Sequence, residues 1–427
     1  MLNKNKNFIV NNPFLWYILF RIEGVHMDSS DKLEKVLKKI EPFMIIVIIA
    51  SFTGVVGGVF GALFIKTLDI FIDFRNTFFY IILLMPIIGI IIVYINKRYK
   101  CDKEPGELIN RAIIKDEEIP SHITPTLFAT TTLSHLAGAS VGRMEAPIKM
   151  GGGIGSYIAN FFNLKKENKG TIIASGVSAL FGSVFGAPLT GTIFACELCF
   201  SKKNKKPIYV LPVLLSACFS RFICFAFGLN SFVDRMLYIH HADFGLKQII
   251  PILILIGICL IFALIFNNIL KYAKELFHKI KNEYLRIIIG SIIMIGCLYL
   301  IGNTLFCGND TNLVEKALEN NSMWYTFIVK ALLTALCLAV GFKGGNIGPA
   351  FISGATLGIL IASLMGIDPQ MGAAIGAVSL FGGVTGCYIS AVFLGIEIFG
   401  LKSLAFFIII AIMLKYFLNQ GLIKRKF

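Results

Sequence analysis

The sequence predicts an all-α polytopic membrane protein, built from two repeats of inverted topology with broken and re-entrant helices. Three observations predict this. Of the 427 residues, 56% are hydrophobic and only 15% charged, with a mean hydropathy of +0.77; soluble chains carry roughly 25% charged residues. The apolar spans are uneven, some shorter than the ~20 residues of a straight crossing and others longer but broken by Gly or Pro. A Gly-rich segment at 176–198 recurs at 376–398, as it would in a transporter made of two related halves that meet near the midplane.

The composition excludes disordered, collagen-like and disulfide-rich secreted classes. Thirty-eight Phe, forty Gly and two Trp suit helices packed in lipid. The formal net charge is +15, but the cations sit in short runs between spans. There they set topology and meet anionic lipid heads, so nucleic acid is not an expected partner. Ten Cys are scattered, many inside apolar runs, such as Cys259, Cys297, Cys337 and Cys387. Such thiols behave as small hydrophobes. Cys196 and Cys199 form a CxxC without a second pair or a nearby His, which makes no metal or redox centre.

Apolar spans run at about 42–72, 77–95, 125–140, 143–163, 170–200, 208–229, 248–270, 286–306, 324–342, 347–366, 370–399 and 403–419. Basic runs fall at Lys97, Arg98, Lys100 and Lys103; at Lys165, Lys166 and Lys169; at Lys202, Lys203, Lys205 and Lys206; and at Lys271, Lys274, Lys279 and Lys281. The tail adds Lys424, Arg425 and Lys426, whereas linkers 230–247 and 303–322 carry Asp234, Asp243, Asp310, Glu315 and Glu319. The positive-inside rule puts the basic runs and both termini in the cytoplasm and these two linkers outside. The expected organisation is a cytoplasmic N-terminal segment (1–41), a first transmembrane repeat (42–229), a second (230–419) and a short cytoplasmic tail (420–427) without a regulatory domain.

The repeat aligns Gly176 with Gly376, Leu180 with Leu380, Phe181 with Phe381, Gly182 with Gly382, Val184 with Val384, Gly186 with Gly386 and Glu197 with Glu397. Upstream, Gly151 pairs with Gly354 and Gly155 with Gly358. Two Gly-rich loops occupy comparable places, Gly138–Pro147 followed by Gly151–Gly153, and Gly341–Pro349. Each holds a basic residue and a Pro just before an apolar helix, so both read as loops feeding helix N-termini. Such an end offers unpaired N–H groups and a positive dipole, which suits an anion in low dielectric. Gly151–Gly153 alone reads as helix packing.

Charges within the spans need a reason. Arg143, Glu145, Lys149, Lys343, Glu197 and Glu397 are the candidates. Arg143 with Glu145, or Lys149 with a helix end, reads equally as a structural pair. The recurrence of Glu197 and Glu397 points to a scaffold role, and His135 reads as a packing residue. There is no P-loop, HExxH, GxSxG elbow or dinucleotide fingerprint, so no enzyme, cofactor or metal is expected.

Three segments, GASVGRMEAPIKMGGGIG (138–155), SGVSALFGSVFGAPLTGTIFACE (175–197) and GFKGGNIGPAFISGATLG (341–358), resemble the chloride channel and transporter (CLC) family. The first resembles its GREGP filter segment, the second its helix with a GAPL-like turn, and the third its GGIFAP segment. The GFKGG form, preceded by Lys330, is most similar to the bacterial branch that includes fluoride/proton antiporters. The resemblance implies a multi-pass cell-membrane homodimer with one anion path per subunit. It implies that Gly142, Arg143, Met144, Glu145, Asn346, Ile347 and Gly348 line the path, with Arg143 and Lys343 raising the local potential.

Departures fall at the functional positions. The family's gating glutamate falls on Met144, leaving Glu145, one residue later, as the candidate gate. Asn346 stands where the fluoride branch is acidic, and Gly348 where it carries a hydroxyl. The inner coordinating position falls on Pro105, the coordinating Tyr on Ile423, and the internal proton glutamate on Leu198. The implied activity is transport of chloride or fluoride, either passive or coupled to protons. The alternative is a degenerate relative that acts as a membrane partner or sensor without transport.

Overall fold

The computed structural model describes residues 30–99, 105–115, 117–199, 208–234, 246–302, 304–308, 312–319 and 324–423. Contacts divide the chain into two units, Met1–Ile46 and Val47–Phe427. Among the described residues, the first holds only the start of a long helix; the second holds the remaining helices. Parts of the expected basic runs (Lys100, Lys103, Lys202, Lys203, Lys205, Lys206, Lys424, Arg425 and Lys426) and the linker acids Asp243 and Asp310 lie outside the described residues.

The described residues form sixteen α-helices and no strand. They are α1 (Ser30–Thr77), α2 (Met85–Tyr99), α3 (Pro105–Asn110), α4 (Ile123–Leu136), α5 (Glu145–Phe161), α6 (Lys166–Phe185), α7 (Pro188–Cys199) and α8 (Val210–Ala226). There follow α9 (Ile249–His278), α10 (Glu283–Ile301), α11 (Asn312–Leu318), α12 (Thr326–Val340), α13 (Ile347–Leu364), α14 (Pro369–Thr385), α15 (Tyr388–Phe399) and α16 (Leu404–Asn419). Five segments are long and apolar enough to cross a membrane: Glu41–Thr77, Phe79–Tyr99, Ile249–His278, Glu283–Ile301 and Ile347–Leu364. The others are shorter or less apolar, as the uneven spans predict.

Two of the three longest predicted runs, 170–200 and 370–399, are each broken. Gly186 (φ +93°) ends α6 and Gly386 (φ +74°) ends α14, both as left-handed caps whose N–H reaches back to the carbonyl of Gly182 or Gly382. Only glycine takes that conformation without strain, so the chain turns at equivalent points in the two halves. The span predicted at 286–306 stops early, at Ile301, because Gly302 adopts the same left-handed cap.

The glycines of the repeat bring helix pairs into backbone contact. A Cβ on Gly151 would strike the Gly176 carbonyl, and one on Gly354 the Gly376 carbonyl. Gly155 and Gly358 are closed off in the same way by Ile172 and Gly372. Small residues at matched positions therefore let α5 lie on α6 and α13 on α14 with nothing between the backbones. Gly152 and Gly153 face Ile109 and Thr124, so the Gly151–Gly153 run is packing surface.

Two carboxylates are exchanged between the halves. Glu197 on α7 accepts hydrogen bonds from the Ser390 N–H (3.1 Å) and hydroxyl (2.8 Å) in the first turn of α15. Glu397 on α15 accepts from the N–H groups of Leu189 (2.8 Å) and Thr190 (2.7 Å) in the first turn of α7, and from the Thr190 hydroxyl. Thr190 and Ser390 are counterparts in the same alignment that pairs Glu197 with Glu397. Each half thus caps a helix of the other, satisfying donors that the helix itself cannot pair. This is the scaffold role expected of the two glutamates.

Glu397→Ala leaves three donors without an acceptor and is expected to cost about 1–3 kcal/mol. Glu397→Gln keeps one acceptor oxygen and should lose less. Thermal unfolding of detergent-solubilised protein checks this order; equal midpoints for the two variants would contradict it.

Candidate functional site

Two helix starts lie buried side by side. Met144 is the N-cap of α5 and Asn346 the N-cap of α13, and neither side chain caps its helix. Met144 is 1% exposed, Asn346 7% and Ile347 0%. Side-chain caps are few among the described helices: Asn282 accepts from Tyr284 and Leu285, and Asp368 from Gln370. Asn346 belongs to the strongest capping class, yet its helix start keeps its donors. The third helical residue of each is proline, Pro147 and Pro349, which has no N–H. The donors of the two starts are therefore the amides of Met144, Glu145 and Ala146, and of Asn346, Ile347 and Gly348.

The loops that lead into these helices pair with each other. The Gly142 N–H donates to the Gly345 carbonyl and the Gly345 N–H to the Gly142 carbonyl, both at 2.7 Å. Side chains would forbid this approach. A Cβ on Gly142 would stand 2.7 Å from Cδ of Pro349, one on Gly344 2.6 Å from Cβ of Val141, and one on Gly345 would overlap Cβ of Glu145. The structure thus brings Gly142 to Gly345, Gly348 and Pro349, and Glu145 to Gly345, joining the two loops read from the sequence.

Two charges at the site, Arg143 and Glu145, stand in ion pairs. Arg143 is 3% exposed, with Nη1 3.7 Å from Oδ1 of Asp69 on α1. Glu145 lies at the first position of α5, where the helix dipole favours a carboxylate. Its Oε1 is 3.8 Å from Nζ of Lys149, one turn along the same helix. The main chain of Lys343 is fixed to α4, and its N–H donates to Oγ of Ser134 at 3.0 Å. Asp69 was invisible to sequence reasoning because nothing in the spacing ties α1 to the first loop.

His135 is fully buried near the end of α4. Its Nδ1–H donates to the Thr131 carbonyl at 2.9 Å, and its own carbonyl accepts from Nη1 of Arg75 at 3.0 Å. Arg75 thereby closes the C-terminal end of α4, where a cation is favoured. Lys330 donates to the carbonyls of Phe306 (3.0 Å) and Gly308, and the Gly308 N–H donates to Ala139 at 2.9 Å. These cations brace the loop behind Gly138. One turn into α13, Phe351 packs on Phe232 (5.3 Å between ring centres) and Phe185 (6.3 Å), an apolar floor below the helix starts. Pro105 begins α3, and Ile423 is buried near the end of the described chain.

The sequence and the fold have counterparts among known proteins. The model of the voltage gated chloride channel family matches residues 88–420. The chain belongs to that family. A chloride/fluoride channel protein of Pseudomonas syringae pv. tomato is 26% identical over 376 residues, covering 82% of this chain and 79% of its own. An H(+)/Cl(-) exchange transporter of Vibrio vulnificus is 26% identical over 277 residues, or 61% of this chain and 59% of that relative. A crystal structure of a CLC-type fluoride/proton antiporter superposes with a TM-score of 0.79 at 28% identity, covering 89% of this chain and 96% of that one. A slow cyanobacterial Cl-/H+ antiporter shares the fold at 20% identity, with a TM-score of 0.75. This CLC chain is thus a polytopic all-α protein among channels and transporters, not among enzymes.

Gly345→Ala drives a methyl group into Glu145 and the opposite loop, and overpacking of this kind costs about 1–3 kcal/mol. Gly257→Ala on α9, where a Cβ would meet nothing within 4 Å, should be neutral or stabilising. Paired melting curves of the two variants check this, and equal stability would mean that the loops do not pack as described.

Proposed function

We propose that this CLC chain conducts a small anion, chloride or fluoride, across the cell membrane through the path between the α5 and α13 starts. The observation that carries the reading is the pair of buried, uncapped helix N-termini joined through Gly142 and Gly345. Buried N–H groups without partners are costly, and an anion satisfies several at once. In a site of lower dielectric than water the amide dipoles are screened less. Gly142, Arg143, Met144, Glu145, Asn346, Ile347 and Gly348 line the path, with Arg143 and Lys343 biasing the approach toward anions.

Passive conduction is the favoured mode. Proton coupling needs a titratable group whose charged and neutral forms compete differently with the anion. Met144 has no such group at the helix start. Glu145 is the one carboxylate in the two loops, and its partner Lys149 stands on its own helix. The chain works as a homodimer with one path per subunit, its halves 42–229 and 230–419 related by inverted topology and both termini cytoplasmic. That arrangement rests on the family resemblance and the reciprocal capping of α7 and α15.

The test is anion efflux from proteoliposomes, chloride against fluoride, with internal pH recorded. Flux that needs only a potassium shunt, moves no protons and survives Glu145→Gln is expected. Anion-driven proton movement that disappears in Glu145→Gln would instead make Glu145 the working carboxylate of an exchanger. Silence for both ions in folded protein would favour the non-transporting alternative.

A further inference from the structure

Three buried side chains hold the path loops, and each holds the loop of the opposite half. Ser134 sits on α4, which precedes the first loop, yet its Oγ accepts the N–H of Lys343 in the second loop at 3.0 Å. Its hydroxyl proton is committed to the Thr130 carbonyl at 2.8 Å, so a lone pair is left for Lys343. On α12, which precedes the second loop, Sγ of Cys337 accepts the N–H of Ser140 in the first loop at 3.3 Å. Oγ1 of Thr334 lies 3.3 Å from Oγ of the same Ser140. Ser134, Ser140, Thr334 and Cys337 are all 0% exposed.

These bonds fall two residues from the glycine pair on each side, at Ser140 before Gly142 and at Lys343 before Gly345. They consume the loop amides that would otherwise compete for an anion. They also fix the torsions through which the following amides, from Met144 and from Asn346 onward, are aimed. Selectivity in a site of backbone donors rests on where the donors stand, because their chemistry is the same for every halide. Donors held by side chains of the opposite half cannot drift independently as the ion size changes.

We propose that Ser134, Thr334 and Cys337 are positioning residues that set the discrimination between anions by cross-bracing the two path loops. The proposal rests on the anion-conducting reading above. None of the three touches the ion. They act through Lys343 and Ser140, so their removal should alter the preference between ions more than the total flux.

The experiment measures the chloride-to-fluoride flux ratio in proteoliposomes for wild type, Ser134→Ala, Thr334→Val and Cys337→Ala, with melting temperatures in detergent. The ratio should move by about two- to tenfold, the effect of one buried hydrogen bond, in Ser134→Ala and Cys337→Ala. Cys337→Ser, which keeps an acceptor, should hold the wild-type ratio. Cys259→Ala, a buried thiol on α9, should change nothing. If Ser134→Ala does not fold, Ser134→Cys substitutes a weaker acceptor and should shift the ratio in its place. Unchanged ratios in all folded variants would overturn the proposal, as would an equal shift in Cys337→Ser and Cys337→Ala, which would assign the effect to volume. Absence of wild-type flux would defeat the transport reading itself, an outcome separate from unchanged ratios in an active protein.

Discussion

The two hydrogen bonds exchanged by Gly142 and Gly345 are the constraint on which the site depends. They bring two helix starts from distant parts of the chain together inside the protein, where neither start is capped by its own side chain. Each bond is worth only about 1 kcal/mol net. Their leverage is geometric, since a reciprocal pair fixes both the separation and the tilt of two loops. The absence of Cβ atoms at positions 142, 344 and 345 is what permits the approach, because the space is filled by Pro349, Val141 and Glu145. The same glycines that allow the pairing would therefore tolerate almost no substitution.

The other contacts across the halves obey the same exchange. Glu197 reaches Ser390 while Glu397 reaches Thr190. Ser134 reaches the second loop while Thr334 and Cys337 reach the first. A two-fold relation forces this form: if one element contacts the counterpart of another, the reverse contact follows. Each loop therefore takes some of its supports from the other half.

Much of this was legible in the sequence, and what was not shares one cause. The broken helices were readable because Gly186 and Gly386 act locally, through a backbone conformation that glycine alone adopts freely. The path loops were readable because glycine, proline and helix starts leave a local pattern. The matched glutamates show in their spacing, but their partners do not, because Ser390 is 193 residues from Glu197. The same holds for Ser134 and Lys343, 209 residues apart. Asn346 shows the limit from the other side. Its type predicts a capped helix, as at Asn282, and only the tertiary setting shows that it leaves the donors open.

The pairing of charges around the path has a consequence for the kind of protein this is. Arg143 stands by Asp69, and Glu145 by Lys149, so two of the charges near the helix starts have partners of opposite sign. On the proposed reading, the field that an ion would meet at the helix starts is set chiefly by the amides, whose dipoles do not titrate. A carboxylate that competes with the ion must leave its partner and enter the path, and Lys149 opposes that step from its own helix turn. Met144 at the helix start has no proton to exchange. On the proposed reading, discrimination between ions and coupling to protons would separate: the first would rest on two cross-braced loops, and the second would require breaking the Glu145–Lys149 pair.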